Sequence, residues 1–406
     1  MTKRRWLGRV LLALGVVVLV DVTLSLTWLR DGRVGKRPLP PFGVEFDEAQ
    51  LAILARLAEG ETNPGAVTGF DRELGWCVRP GAVHKDSIHV NSRGQRGVRE
   101  YGAVPAPGAL RVACYGDSFV FGDEVPDEYT FQAFLERQAP SVEALNYGVP
   151  AYGTDQALLR LRRDGIANAR VVVIGLLLEN IGRNVNRYRP LWTPRTLSPF
   201  SKPRFVLAPD ISGVEKLQLV PQPYATPREL ALAALDGRIL VALAEHEHWR
   251  GRPEVATGKW SSLVRLAAGW LAYRERDPRR LWLEQGGEPR RVTLALIEAL
   301  RDEARAQGAK EVLVLVLPMR EELDDYRKTG QAYWTQAVTD LTARGIACID
   351  LVPELAAADA RCETDPAHPG LYVAAHFSSV GNEVIALAIE RWLVENHLLL
   401  PTPLRK

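Results

Sequence analysis

The chain has only four cysteines, Cys77, Cys114, Cys348 and Cys362, and no two of them form a CxxC pair. No histidine stands at zinc-ligand spacing from them either, so no structural metal site is expected. Cys114 and Cys348 lie inside apolar runs and read as core residues. Cys362, in the loop-like stretch "ADARCETDPAHPG", is free to pair with another cysteine if that part of the chain lies outside the cytoplasm. A surplus of either charge is also missing: 51 Lys and Arg face 49 Asp and Glu, a formal net charge of +2. Polyanion binding is therefore a poor first reading, and no nucleic-acid partner is expected. There is no internal repeat and no low-complexity tract, which removes repeat architectures. A length of 406 residues admits one large α/β domain with insertions or two ordinary domains.

The N-terminus carries the longest apolar stretch. After "MTKRRW", residues 10–29 are apolar except for Asp21 and a few Ser and Thr, about the length that crosses a bilayer as a helix. The stretch is too long for the apolar region of a signal peptide, and no small-x-small cleavage site follows, so it reads as an uncleaved signal anchor. A buried core helix is the plainer alternative. Asp21 is the awkward residue, since a carboxylate near mid-membrane costs about 2.5 to 3.5 kcal/mol on insertion scales. It is expected to be protonated or to pair with a partner helix. Lys3, Arg4, Arg5 and Arg9 precede the segment and Arg30, Arg33, Lys36 and Arg37 follow it, so charge hardly decides orientation. The short tail favours a cytoplasmic N-terminus with the large domain in the periplasm or outside the cell.

Taken in order, residues 1–5 form the tail, 6–29 the anchor, 30–75 a linker with a short helix at 47–58, and 76–109 a small β-rich region. The main domain follows over 110–400. Short apolar runs at 110–115, 144–147, 171–178, 311–317 and 346–351 read as buried strands with helices between them. That alternation predicts a mostly parallel sheet covered on both faces. Ligands bind such sheets beyond the C-terminal strand ends. Residues 190–300 are much longer than a crossover needs and hold a Pro-rich loop, "KPRFVLAPD", and helices at "RELALAALDGRILVALAEHEHW" and "SSLVRLAAGWLAYRER". These helices either pad the same core or form a lid or substrate groove.

The chemistry gathers at three strand ends and in a loop before the final helix. "ACYGDSFVFGDEV" puts Ser118 directly after the first strand, where Asp and Ser also favour turns and caps. "NYGVPAYGTDQ" places Gly148 at the end of the second strand, where a bare backbone N–H can approach a reacting oxygen. "GLLLENIGRNVNRYRP" places Asn180 after the third, with Asn184 and Asn186 as rivals. "YVAAHFSSVGN" puts His376 before the final helix. A serine, N–H donors and a histidine on one crevice are what acyl transfer requires.

In order and context these residues resemble the SGNH, or GDSL-type, hydrolase superfamily. "GDSFVFGDEV" is similar to its first block, with Ser118 as nucleophile and Gly122 in the later glycine position; Gly148, Asn180 and His376 match the second, third and last blocks. The resemblance covers roughly residues 75–397, and "LGWCVRPG" and "VNSRGQRG" resemble the upstream part of membrane-anchored bacterial members. It implies a flavodoxin-like three-layer α/β/α sandwich with a helical insertion and an N-terminal transmembrane helix. It further implies serine esterase or O-acyltransferase activity with Ser118 and His376 catalytic, an oxyanion hole of Ser118, Gly148 and Asn180, and no metal or organic cofactor. The expected partners are the membrane and an ester substrate, first of all an O-acylated cell-envelope glycan. A lipid or small-ester hydrolase and a non-catalytic envelope glycan-binding or assembly protein remain as alternatives, and the oligomeric state is not indicated.

Two departures stand out. Asn180 is followed by Ile181 where the family usually has Asp, and residues 373–375 are Val, Ala and Ala where it usually has an Asp before the histidine. His376 is then oriented by a backbone carbonyl, or by Glu363 or Asp365 from the preceding loop, or the site only binds. Arg183, Arg187 and Arg189 follow Asn180 and form either a solvated loop or a seat for an anionic or sugar-acid substrate. His246 and His248, two apart, read as a solvated helix end, and His84 and His89 as surface residues beside a turn.

Overall fold

The computed structural model of the protein describes residues 3–27, 29–30, 33–34, 37–38, 46–62, 67–193, 196–249, 261–364 and 370–400. Five strands make the central sheet: β1 (Leu110–Gly116), β2 (Val142–Gly148), β3 (Val171–Leu177), β4 (Glu311–Leu317) and β5 (Ala347–Asp350). Every residue of β1, β2 and β3 is buried. Apolar runs hidden on both faces are what strands between two helical layers require. All four pairings are parallel, in the order β5-β4-β3-β1-β2. The five expected strands are the five observed, to within two residues at each end.

That order is flavodoxin-like, with one reversal. The chain steps from β1 out to β2, then returns across β1 to lay β3 on its other side. Right-handed crossovers of opposite direction put their helices on opposite faces. Helix α3 (Phe131–Gln138), between β1 and β2, therefore covers one face, and α4 (Thr154–Asp164), between β2 and β3, the other. The short helix α7 (Pro278–Leu283) leads into the long helix α8 (Glu288–Ala306), which packs beside α4, and the C-terminal α9 (Ser379–Glu395) packs beside α3, completing a three-layer sandwich.

N-terminal to the sandwich, α1 (Lys3–Thr27) contains one stretch, Arg5–Thr27, long and apolar enough to cross a membrane. In the expected linker, Leu29–Arg30, Arg33–Val34 and Arg37–Pro38 pair as two-residue antiparallel strands, and residues 39–45 lie outside the described residues. The helix expected at 47–58 runs Glu48–Glu59 and starts on a capping box, with Asp47 Oδ1 accepting the Gln50 N–H and Gln50 Oε1 accepting that of Asp47. The β-rich region consists of two hairpins, Thr68–Asp71 with Gly75–Val78 and Val83–His84 with Ile88–His89, so it begins before residue 76.

The insertion departs from expectation in one place. "KPRFVLAPD" is a strand, Arg204–Pro209, paired antiparallel with Glu215–Val220. Phe205 is buried beneath it, and the prolines flank or end the strand, where their missing N–H disturbs the ladder least. The helical stretch before residue 249 breaks at Gly237, which sits at φ +79°, into Pro227–Leu235 and Arg238–Leu243. Leu230, Ile239, Leu243, Trp249 and Trp282 all join the main core, so the insertion pads it. Cys77 and Cys114 are buried and free, and Cys348 is half-buried; the Cys362 side chain, and with it the pairing considered for it, lies outside the described residues.

Candidate active site

At Gly116 the chain leaves β1 and turns into the one-turn helix α2 (Ser118–Phe121). Asp117, fully buried, caps it: Oδ1 accepts the Phe119 N–H at 2.9 Å. Burial raises the Asp117 pKa, opposed by the Arg183 guanidinium and by hydrogen bonds from Phe119 and Asn180. Ser118 is the first residue of the helix, so its own N–H has no intrahelical acceptor. Gly122 ends the turn at φ +80°, and its N–H returns to the Ser118 carbonyl at 2.9 Å. Asp123 and Glu124 consequently fold back beside the serine, with Glu124 also left-handed at φ +72°.

His376 arrives from the opposite end of the chain, on a two-residue hairpin of Tyr372–Val373 and His376–Phe377. Its Nε2 lies 2.9 Å from Ser118 Oγ. Its Nδ1 faces Glu124 Oε1 at 3.5 Å, an ion-pair distance that is long for a hydrogen bond. Among the described residues Nδ1 has no hydrogen-bond partner, a backbone carbonyl included. The side chains of Glu363 and Asp365 lie outside the described residues. Among the described residues the carboxylate facing Nδ1 is Glu124, from the nucleophile's own block, "GDSFVFGDE". The sequence carries no signal for this role, because the fold-back that brings Glu124 to the imidazole depends on left-handed backbone at Gly122 and Glu124. Asp123 lies close by as well: burial raises its carboxyl to about 6, against the pull of His376 and Arg96.

Of the three asparagines after β3, only Asn180 bonds to Asp117, the residue before the serine. It opens the one-turn helix α5 (Asn180–Arg183), and its Nδ2 donates to Asp117 Oδ2 at 2.9 Å, which leaves a second Nδ2 hydrogen. Asn184 is committed to Thr154 and Thr293, and Asn186 to Gly182 and Trp249. Ser118, just after β1, and Asn180, just after β3, stand where the strand order reverses, the place such sheets offer ligands.

Gly148 differs from its expected role. Its N–H is already donated to Asn146 Oδ1 at 2.9 Å. A Cβ on it would lie 2.2 Å from Phe121 N and 2.7 Å from Phe121 Cα, so the missing side chain lets α2 pack on the end of β2. In the loop beyond, Val149, Tyr152, Gly153 and Thr154 all spend their N–H groups on named acceptors. Ala151, held at φ +67°, is the residue there whose N–H has none among the described residues.

The arginines after Asn180 separate. Arg187 is structural, its Nη2 donating to Pro221 O at 2.6 Å. Arg183 bonds to Glu179 at 3.0 Å and approaches Asp117 at 3.7 Å. Arg189 keeps Nε and Nη1 buried without a hydrogen-bond partner among the described residues, and burial beside Arg183 brings it down to about 9. Of the histidines set aside earlier, His89 pairs with Asp127 at 2.6 Å and His248 with Glu288 at 3.0 Å.

No protein-family model matches the chain, and no curated protein does. Solved structures do. A candidate lipolytic protein of the G-D-S-L family from Desulfitobacterium hafniense DCB-2 is 12% identical with a TM-score of 0.32, over 70% of this chain and 98% of its own. A member of the lipolytic G-D-S-L family from Veillonella parvula DSM 2008 is 11% identical with a TM-score of 0.33, over 70% and 97%. A lipase candidate from Chitinophaga pinensis DSM 2588 is 12% identical with a TM-score of 0.35, over 71% and 99%. The fold rests on the strand order of the sheet, and the chemistry on Ser118, His376 and their neighbours.

Proposed function

We propose that the chain is an SGNH-type serine esterase or O-acyltransferase working through Ser118 and His376. The observation that supports it is the 2.9 Å contact between Ser118 Oγ and His376 Nε2 at the strand-order reversal, with a carboxylate facing the other imidazole nitrogen. Ser118 Oγ attacks the acyl carbonyl carbon and its proton passes to His376 Nε2. The carbonyl oxygen becomes an oxyanion, for which the donors the site leaves free are the Ser118 N–H and the second Asn180 Nδ2 hydrogen. Collapse breaks the ester C–O bond, and the alcohol leaves with the proton from His376. Water, or in transfer a second hydroxyl, then attacks the acyl-serine and gives its proton to the same nitrogen; collapse of this second intermediate breaks the acyl–Oγ bond, and Ser118 Oγ takes the proton back from His376.

The substrate class that fits is an O-acyl group on a cell-envelope glycan, because an anchored domain facing the periplasm or cell exterior works beside envelope material. Arg189, unsatisfied near the Asn180 helix, favours an acidic glycan. The test treats the full-length chain in detergent with a fluorophosphonate probe and with acetylated glycan and acetyl esters. Labelling and turnover are expected in the parent chain, with both lost in Ser118→Ala and turnover lowered on the order of a thousandfold in His376→Ala. Labelling that persists without Ser118, or a chain with no turnover of any ester, overturns the enzyme reading in favour of a binding protein. Turnover that climbs with acyl-chain length replaces the glycan with a lipid.

A further inference from the structure

We propose that helix α6 (Ser262–Arg276) inserts into the bilayer leaflet bordering Thr27, held there by Asp21 of α1, and that its exposed face is covered by lipid. The proposal rests on the reading of α1 as a membrane span. Asp21 lies six residues before the end of α1, so at ~1.5 Å per residue it sits about 9 Å in from that end. Half of a hydrocarbon core is roughly 15 Å. The Asp21 carboxylate accepts the Ser261 hydroxyl at 2.8 Å and the Leu263 N–H at 2.8 Å, and the hydroxyls of Ser25 and Ser262 also meet. Whichever way α1 points, the start of α6 lies at the depth of Asp21.

A helix N-terminus in hydrocarbon is unfavourable, because its first N–H groups lack acceptors and each costs several kcal/mol, on the order of the transfer cost of an amide. Here those groups are supplied: Asp21 takes the Leu263 N–H, and Ser261 Oγ takes that of Val264 at 3.3 Å. Asp21, expensive in the sequence of a membrane span, becomes the cap of a second helix. From that cap α6 runs 15 residues to Arg276, about 22 Å at helical rise. Arg276 belongs to the protein body: its Nη1 donates to Trp192 O at 2.5 Å, and its guanidinium lies over the Trp192 and Trp249 rings.

The residues between sort as a membrane boundary sorts them. Val264, Leu266, Ala267 and Ala268 follow the cap. Then come Trp270, 60% exposed, and Tyr273, 41% exposed, residue types that favour the headgroup level. Arg274 lies over the Trp270 ring at that level. Arg265, the one charged residue nearer the cap, is long enough to reach outward. Residues 262–280 hold five arginines and two acids, a balance that suits anionic lipid. The Trp192 ring that Arg276 holds also fills the space beside Gly182, where a Cβ would lie 2.0 Å from it, so α6 is tied through one side chain to the helix bearing Asn180.

The test places a nitroxide on single cysteines, Leu14→Cys in α1, Leu271→Cys in α6 and Ile211→Cys on the exposed hairpin, in the full-length chain in anionic nanodiscs. Cys348 and Cys362 are replaced by Ser, and Cys77 and Cys114, both buried, are left. Collisions with oxygen are expected to exceed those with a water-soluble nickel chelate several-fold at Leu14→Cys and Leu271→Cys, and the reverse is expected at Ile211→Cys. Lipid contact at Leu14→Cys with water contact at Leu271→Cys overturns the proposal and leaves the span standing. Water contact at Leu14→Cys overturns the span itself, and the proposal with it. Adding Asp21→Leu is expected to move the Leu271→Cys ratio several-fold toward water with Leu14→Cys unchanged; an unchanged ratio overturns the holding role of Asp21.

Discussion

At the scale of single residues, the site turns on two carboxyls side by side with different tasks. Glu124 is held at φ +72°, a region that costs a non-glycine residue roughly 1–2 kcal/mol. What that conformation achieves is the carboxylate 3.5 Å from His376 Nδ1. Stability and activity should therefore separate at this position. Glu124→Gly is expected to leave stability unchanged or raise it by up to ~1 kcal/mol, since glycine adopts the conformation freely but orders at greater entropic cost. Its kcat on an acetyl ester is expected to fall on the order of a hundredfold with KM unchanged, less than the ~10⁴ lost when the hydrogen-bonded acid of a triad is removed. Thermal unfolding and steady-state kinetics on the same preparations check both. Asp123 contributes differently. Burial raises it to about 6 from a reference of 3.8, so the folded state prefers the neutral acid. Its contribution to stability is present in full below pH ~4 and is lost as pH rises through about 6. Asp123→Asn should flatten that fall, which chemical denaturation at several pH values between 4 and 7 measures.

At the scale of elements, the position of α2 decides whether Ser118 meets His376, and Gly148 permits that position. A Cβ there would strike Phe121 N, Phe121 Cα and Val120 C, all backbone atoms that cannot rotate away. Gly148→Ala is expected to cost about 2–3 kcal/mol, at the upper end for overpacking, and to slow fluorophosphonate labelling of the folded fraction because α2 must shift. Urea denaturation together with the labelling rate checks it, and loss of stability with full labelling would contradict it. Gly148 was legible in the sequence as a necessary glycine, but not for its actual reason. The claim of Asn146 on its N–H and the approach of α2 are contacts between elements, which strand periodicity does not carry. The five strands were legible for the opposite reason, since burial on both faces writes itself into each run as unbroken apolarity. The strand Arg204–Pro209 was hidden by its flanking prolines. Glu124 was hidden because a glutamate following a glycine turn announces no conformation of its own.

At the scale of the whole molecule, the open question in the sequence was whether the insertion pads the core or moves over the site. Its first part is fixed by charge as well as by packing. Lys202, from the insertion, reaches Asp155 at the start of α4, and both are buried. Burial raises Asp155 and lowers Lys202, each opposed by its partner. Arg204, on the next strand, pairs with Glu288 at the start of α8. An element bound to one helix of that sandwich face by a buried ion pair, and to the next by the buried Arg204 reaching an exposed Glu288, is not free to open without leaving Asp155 bare in the interior. Removing one ion of the pair should therefore cost more than removing both. Lys202→Met is expected to destabilise by about 3–5 kcal/mol, because Asp155 stays buried without its partner, whereas Lys202→Met combined with Asp155→Leu should recover most of that loss. In both variants hydrogen exchange over 200–250 is expected to rise with global unfolding. Exchange confined to the insertion, with the sheet still protected, would mark it as a separately opening lid and sink the padding interpretation.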